Sequence, residues 1–204
     1  MEPHAHKHRF ERVDDGSGSS VYRCACGARA EGPELHWKLR RARRAKDVAT
    51  LTAGLDDPIE GMFAARFLGD SGASESIPEL EGRLRSTDPH MRAATLIALG
   101  KLHAVSAGEK IEGAAVSDSV QWVRAAAVEA AEGVLPPDRL RALLHRALAD
   151  PGWNARFVAA RILERTGEPS DLPSLQAAKK TDVWWRRGVY RKAIRAIRRR
   201  SGRS

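Results

Sequence analysis

The 204-residue chain carries 35 Lys and Arg against 26 Asp and Glu, a formal net charge of +9, with 42% hydrophobic but only 5% aromatic residues. That length can bury one ordinary core plus a small accessory module without disulfide support, and an apolar content dominated by Ala and Leu favours helices over sheets. No apolar run approaches the roughly 18 residues of a membrane span, and MEPHAHKHRF lacks the apolar centre of a signal peptide, so a soluble, cytoplasmic protein is expected.

The charge is unevenly placed: residues 1–46 hold a net +5, residues 47–178 hold −6 and residues 179–204 hold +10. The first basic block opens with HAHKHRFERVDDGSGSSVYRCACG, residues 4–27. Two short strands, residues 8–13 and 20–24, are expected to flank the turn-forming DDGSGSS. Pairing them brings the histidines beside Cys24 and Cys26, the only two cysteines. Imidazole and thiolate are natural tetrahedral zinc ligands, which makes His6, His8, Cys24 and Cys26 the candidate metal site, with His4 or His36 as substitutes. The segment resembles a degenerate zinc ribbon in His6-x-His8-x-Phe10 and in VYRCACG, although one residue stands between the cysteines where a ribbon usually has two. That resemblance implies a small β-hairpin module over residues 1–33 held by structural zinc. Four protein ligands would close the metal to water, leaving no catalytic role. The competing view is a His-rich leader with two incidental thiols.

Residues 34–46 are expected to form a basic linker helix containing WKLRRARRAK. Arg40, Arg41, Arg43 and Arg44 surround much of such a helix with no acid at i±4 inside it, which marks them as candidate contacts for nucleic acid or an acidic partner.

From there a repeat runs to the end. Asp57, Asp88, Asp118, Asp150 and Asp182 recur at spacings of 31, 30, 32 and 32 residues, each followed by an Ala-rich stretch. Aligned on Arg92, Arg124, Arg156 and Arg187, these stretches place small or apolar residues three, six and seven positions later, for example Ala159, Ile162 and Leu163, which is helical spacing. A shorter apolar segment with an early proline precedes three of the aspartates, as in IPELEGRL. Each unit therefore reads as helix A, a turn opening on Asp, helix B, and a stop at a glycine such as Gly69, Gly100, Gly133 or Gly167. Neither helix buries its apolar face alone, so the units must stack.

DSVQWVRAAAVEAA and DPGWNARFVAARIL, with Asp and Arg six residues apart, resemble the short HEAT-like repeats of about 30 residues. The resemblance covers residues 45–200 and implies a right-handed all-α solenoid of about five helical hairpins within residues 34–204. It also implies B helices lining a concave face, and structural roles for Arg92, Arg124 and Arg156 as turn-capping and inter-repeat hydrogen-bonding groups. Repeat 2 departs with four residues from Asp88 to Arg92, the fifth interval is one shorter, and Gly61 stands where the first arginine would be.

The last unit, residues 183–200, reads as a basic fifth B helix. At 100° per residue Trp185, Val189, Ala193, Ala196 and Ile197 fall inward, while Arg187, Arg191, Arg195 and Arg198, joined by Trp184, fall on another face as candidate contacts. No phosphate-binding loop, H-E-x-x-H helix or nucleophile elbow is present, and no small-molecule substrate is evident. The expectation is a non-enzymatic scaffold binding another protein, the alternative a nucleic-acid binder using the basic ends. Some HEAT-like proteins are DNA glycosylases, and Trp122, Trp153, Trp184 and Trp185 recur near B-helix starts. They hold repeat-equivalent positions, however, and the nearby acids are the turn aspartates. The Ala- and Arg-rich composition resembles that of proteins from high-GC bacteria or their phages.

Overall fold

Proline in the first turn starts four of the described helices, and Ala-rich faces let the helices pack closely. In a computed structural model, which describes residues 10–13, 21–24, 29–31, 37–57 and 60–202, eleven α-helices follow three short strands. The strands β1 (Phe10–Val13), β2 (Val21–Cys24) and β3 (Arg29–Glu31) pair antiparallel in the order β1-β2-β3, with Phe10 opposite Cys24. The zinc candidates His6, His8 and Cys26, with His4 and His36, lie outside the described residues.

The helix α1 (Trp37–Ala45) precedes five hairpins. These are α2 (Val48–Gly54) with α3 (Gly61–Ser71), α4 (Ile77–Arg83) with α5 (Pro89–Lys101), and α6 (Gly108–Ser117) with α7 (Gln121–Ala131). They continue as α8 (Pro137–Leu148) with α9 (Trp153–Thr166), and α10 (Leu172–Thr181) with α11 (Gly188–Ser201). The second helix of each pair, the B helix, packs on its own A helix and on the B helices of the neighbouring repeats. The α-solenoid of five hairpins expected from the sequence is therefore present.

Packing on three sides explains why α5 and α7 are apolar nearly all round. Met91, Ala93, Ala94, Leu96, Ala98 and Leu99 are buried in α5, and Val123, Ala127, Val128, Ala130 and Ala131 in α7. Close approach requires glycine at two positions. A Cβ on Gly69 would stand 2.7 Å from the Ala98 Cα, and one on Gly100 2.7 Å from the Ala130 Cα. This corrects the expectation that Gly69 and Gly100 stop their helices: both lie inside them, where the neighbouring backbone leaves no room for a side chain. Helix α3 ends instead at Gly72, whose φ of +70° suits glycine. The basic segment expected as a linker is docked, because Leu39 and Ala42 of α1 are buried in the common core.

The start of the last B helix also differs. Trp184–Arg186 form a 3-10 turn, and α11 begins at Gly188. The 100° rotation used to place Trp185 inward does not hold through that turn. Trp185 is 63% exposed and Trp184 72%. From Val189 onward the helical phase holds: Val189, Ala193 and Ile197 are buried, joined by Tyr190 and Ile194.

Candidate interaction site

The repeat arginines and aspartates form a ladder. Arg92 donates through Nε and Nη2 to the Asp118 carboxylate at 2.7 and 2.9 Å, and Arg124 does the same to Asp150 at 2.7 and 2.8 Å. Arg156 reaches Asp182 at 3.3 Å through both nitrogens, each rung joining residues 26 apart. The remaining Nη1 of each arginine donates to a carbonyl of its own turn, Ser86, Asp118 or Asp150. Each aspartate also accepts a backbone N–H of the turn it opens, from Val120, Gly152 or Val183. One carboxylate thus caps a turn and fastens it to the preceding repeat.

Burial alone would raise these carboxyls. For Asp118 and Asp150 the hydrogen bonds from arginine and backbone N–H, with the charges of flanking arginines, outweigh burial and hold both below the ordinary carboxylate value. Asp182 is held low against burial by the Tyr190 hydroxyl, the Val183 N–H and Arg156. The Tyr190 phenol, wholly buried, donates to Asp182 Oδ2 at 2.8 Å, and its pKa is pushed up to about 12 by burial and by that bond. Sharing one oxygen with Tyr190 accounts for the longer fourth-interval contacts to Arg156.

The irregular second repeat is explained by the same contacts. Arg92 reaches back six residues to the Ser86 carbonyl, as Arg124 reaches Asp118 and Arg156 reaches Asp150. Ser86, not Asp88, therefore holds the repeat-equivalent place, while Asp88 caps α5 by accepting the His90 N–H. Arg92, Arg124 and Arg156 serve the structural role the sequence indicated.

Of the nominated contacts, Arg40, Arg41, Arg43 and Arg44 are exposed on α1. Arg43 lies 3.4 Å from Asp70 and over the Phe67 ring, so a distant residue supplies compensation that local spacing did not reveal. Arg187 is occupied in its own turn, donating from Nε to the Asp182 carbonyl at 2.9 Å. Arg191, Arg195 and Arg198 are exposed on α11, with Trp184 beside them in sequence. Helix α1 packs on α2 and α3, whereas α11 packs on α9 and α10.

What sequence reasoning missed is a groove on the B-helix side. Between α9 and α11, Phe157, Arg161, Glu164, Val189 and Lys192 line a space of about 600 Å³. Phe157, Arg161 and Arg165 also line a smaller space of about 200 Å³ with Glu129 and Glu132 of the preceding repeat, so the two adjoin. Phe157 is 36% exposed in a helix whose other large apolar residues are buried or partly buried, and the Arg161 guanidinium lies 5.9 Å from its ring centre. Its signal was available: one position after the repeat arginine, repeats 2 and 3 have Ala93 and Ala125 and repeat 4 has Phe157. Among the described residues, no three His, Cys, Asp or Glu side chains form a group able to hold a metal, and no helix is long and apolar enough to cross a membrane.

These features define a helical-repeat solenoid with a mixed aromatic and charged face. Residues 48–132 match the family model described as HEAT repeats. The fold is similar to that of an engineered protein whose crystal structure was solved in structural genomics, with a TM-score of 0.50 and 18% identity over 79% of this chain and 83% of that one. The complex of CpcE and CpcF of phycocyanin lyase from Nostoc sp. PCC7120 is similar at a TM-score of 0.40 and 18% identity, covering 78% of this chain and 85% of that chain. No curated protein matches the sequence.

Proposed function

We propose that the protein is a non-enzymatic adaptor that binds a protein partner through the B-helix face of repeats 3 to 5. The observation that carries this is Phe157, an exposed aromatic set between adjoining grooves and rimmed by Arg161, Arg165, Glu129 and Lys192. An apolar anchor within a polar rim of both signs is the usual anatomy of a protein interface. A phosphate-tracking surface would instead be uniformly basic, and Glu129, Glu132 and Glu164 interrupt this one.

The test is affinity capture from nuclease-treated lysate of the source cells, wild type against Phe157→Asp/Arg161→Glu. A protein captured by the wild type and lost from the double variant supports the groove. Equal capture by both removes it, and capture seen only from a parallel lysate without nuclease transfers the function to nucleic acid.

Structural zinc on His6, His8, Cys24 and Cys26 is a separate proposal, supported by donor chemistry and by Cys24 closing β2 opposite Phe10. Untagged protein should contain about one zinc per chain; less than about a tenth of an equivalent removes the site.

A further inference from the structure

We propose that the open end of repeat 5 docks an acidic helical segment of a partner protein, placing carboxylates on Arg187, Arg191 and Arg195 beside the exposed Trp184 and Trp185. The site is separate from the groove, and neither proposal depends on the other.

Three observations converge on this end. The ladder is unfinished: three successive repeat arginines each hold a carboxylate from the following turn, but among the described residues no carboxylate pairs with Arg187. Its Nε and Nη2, the atoms that hold a carboxylate in the ladder, donate instead to carbonyls of its own turn, Asp182 at 2.9 Å and Lys180 at 3.4 Å, so Nη1 is the donor left for a partner.

Secondly, the aromatic residues at this turn lack the cover they have inside the array. Trp153 is lidded by Arg186 of the next repeat at 4.9 Å, and Trp122 meets His90 of the previous one at 4.8 Å. Trp184 and Trp185 instead meet each other edge-on at 5.7 Å and remain 72% and 63% exposed, with Val183 40% exposed beside them.

Thirdly, the position four residues after the repeat arginine is wholly buried in the interior as Leu96, Val128 and Ala160, the first two at 0% exposure and the third likewise. In repeat 5 it is Arg191, exposed, with Arg195 one turn later. A plain sixth repeat would press an apolar helix onto this charge. A second copy of the chain, itself at +9, would set like charges against each other. An acidic amphipathic helix meets both requirements: carboxylates for Arg187, Arg191 and Arg195, and apolar side chains for Val183, Trp184 and Trp185. Nucleic acid could also use arginine and tryptophan, but each earlier rung is built for a single carboxylate delivered by a turn, not for a run of phosphates.

The probe is a fluorescein-labelled acidic peptide of about 20 residues, long enough to become helical, starting Asp-Pro and continuing in Glu, Leu and Ala. Anisotropy is followed with the full chain, and single-stranded DNA of similar length serves as competitor. The peptide should bind below about 100 µM. Affinity should fall at least about tenfold in Trp184→Ser/Trp185→Ser and in Arg191→Glu, and measurably in Arg187→Lys, which keeps the charge but loses the fork. Phe157→Asp should leave it unchanged, so failure of the groove and failure of this end are told apart. The tryptophan variant alters exposed side chains, and an unchanged unfolding midpoint verifies its fold. No binding at that concentration, indifference to the tryptophan and arginine variants, or tighter binding of the DNA to the same face would each overturn the proposal.

Discussion

Replacing Arg124 by Met tests whether the ladder holds the array together. Arg124 and Asp150 have side chains only 11% and 9% exposed, and two charge-assisted bonds of 2.7 and 2.8 Å join them. A third bond, 2.8 Å, runs from Nη1 to the Asp118 carbonyl. Without the guanidinium, Asp150 keeps the Gly152 N–H at 2.6 Å and the nearby charge of Arg156, so it is not wholly abandoned. Breaking a buried pair from one side costs about 3–5 kcal/mol, and these residual partners place Arg124→Met near the lower end, about 3 kcal/mol. With a urea m-value of about 2 kcal/mol/M, the midpoint should fall by about 1.5 M. The comparison is Arg139→Met, whose pair with Glu112 is 47% and 24% exposed and is expected to contribute under about 1 kcal/mol. Because stability in a solenoid passes between neighbours, far-ultraviolet dichroism and tryptophan fluorescence should also cease to coincide. Equal midpoint shifts for Arg124→Met and Arg139→Met, together with additivity of Arg124→Met and Asp150→Asn, would refute the reasoning.

The pH dependence should have two limbs. Asp118, Asp150 and Asp182 titrate lower folded than unfolded, so the unfolded chain binds more protons between the two values; their contribution is complete above about pH 4 and disappears as pH falls through the folded values. Glu60 acts oppositely, because burial and the charge of Asp57 push it up to about 7, so its folded form binds the extra proton and stability increases as pH falls from about 7 to 4.5. Thermal midpoints should therefore rise slightly toward pH 5 and drop below about pH 4, with Glu60→Gln flattening the upper limb and Asp150→Asn the lower. Gly100→Ala should destabilise by about 1–3 kcal/mol through collision with the Ala130 backbone. Gly113→Ala, with nothing within 4 Å of its Cβ in α6, should stabilise by up to about 1 kcal/mol; matched denaturation curves check both signs. Tyr190→Phe removes the buried donor to Asp182 and should cost about 1–2 kcal/mol by the same measurement, with no effect excluding a role for that bond.

The repeat period was legible because repeats 2 to 4 restate the same constraint: an acceptor at the turn, an arginine reaching the next turn, and small residues where helices touch. Its second-repeat irregularity was not, since Asp88 mimics the repeat aspartate while Ser86 occupies the equivalent place. Trp185 was misplaced for a related reason. Helical phase can be extended only as far as the helix, and the 3-10 turn Trp184–Arg186 interrupts it. The α1 arginines, read from the sequence as uncompensated candidate contacts, are exposed, but Asp70 beside Arg43 comes from a distant segment.

By itself, the sequence determined the class of fold, the five-hairpin count and the ladder arginines, because period, amphipathic spacing and turn chemistry are local and recur. Only the tertiary structure decided which surfaces remain open. The groove around Phe157, the docking of α1 through Leu39 and Ala42, and the uncovered Trp184 and Trp185 depend on what neighbouring repeats cover. Exposure is a property of the packed array, and identical residue types are buried or presented according to whether another helix closes over them.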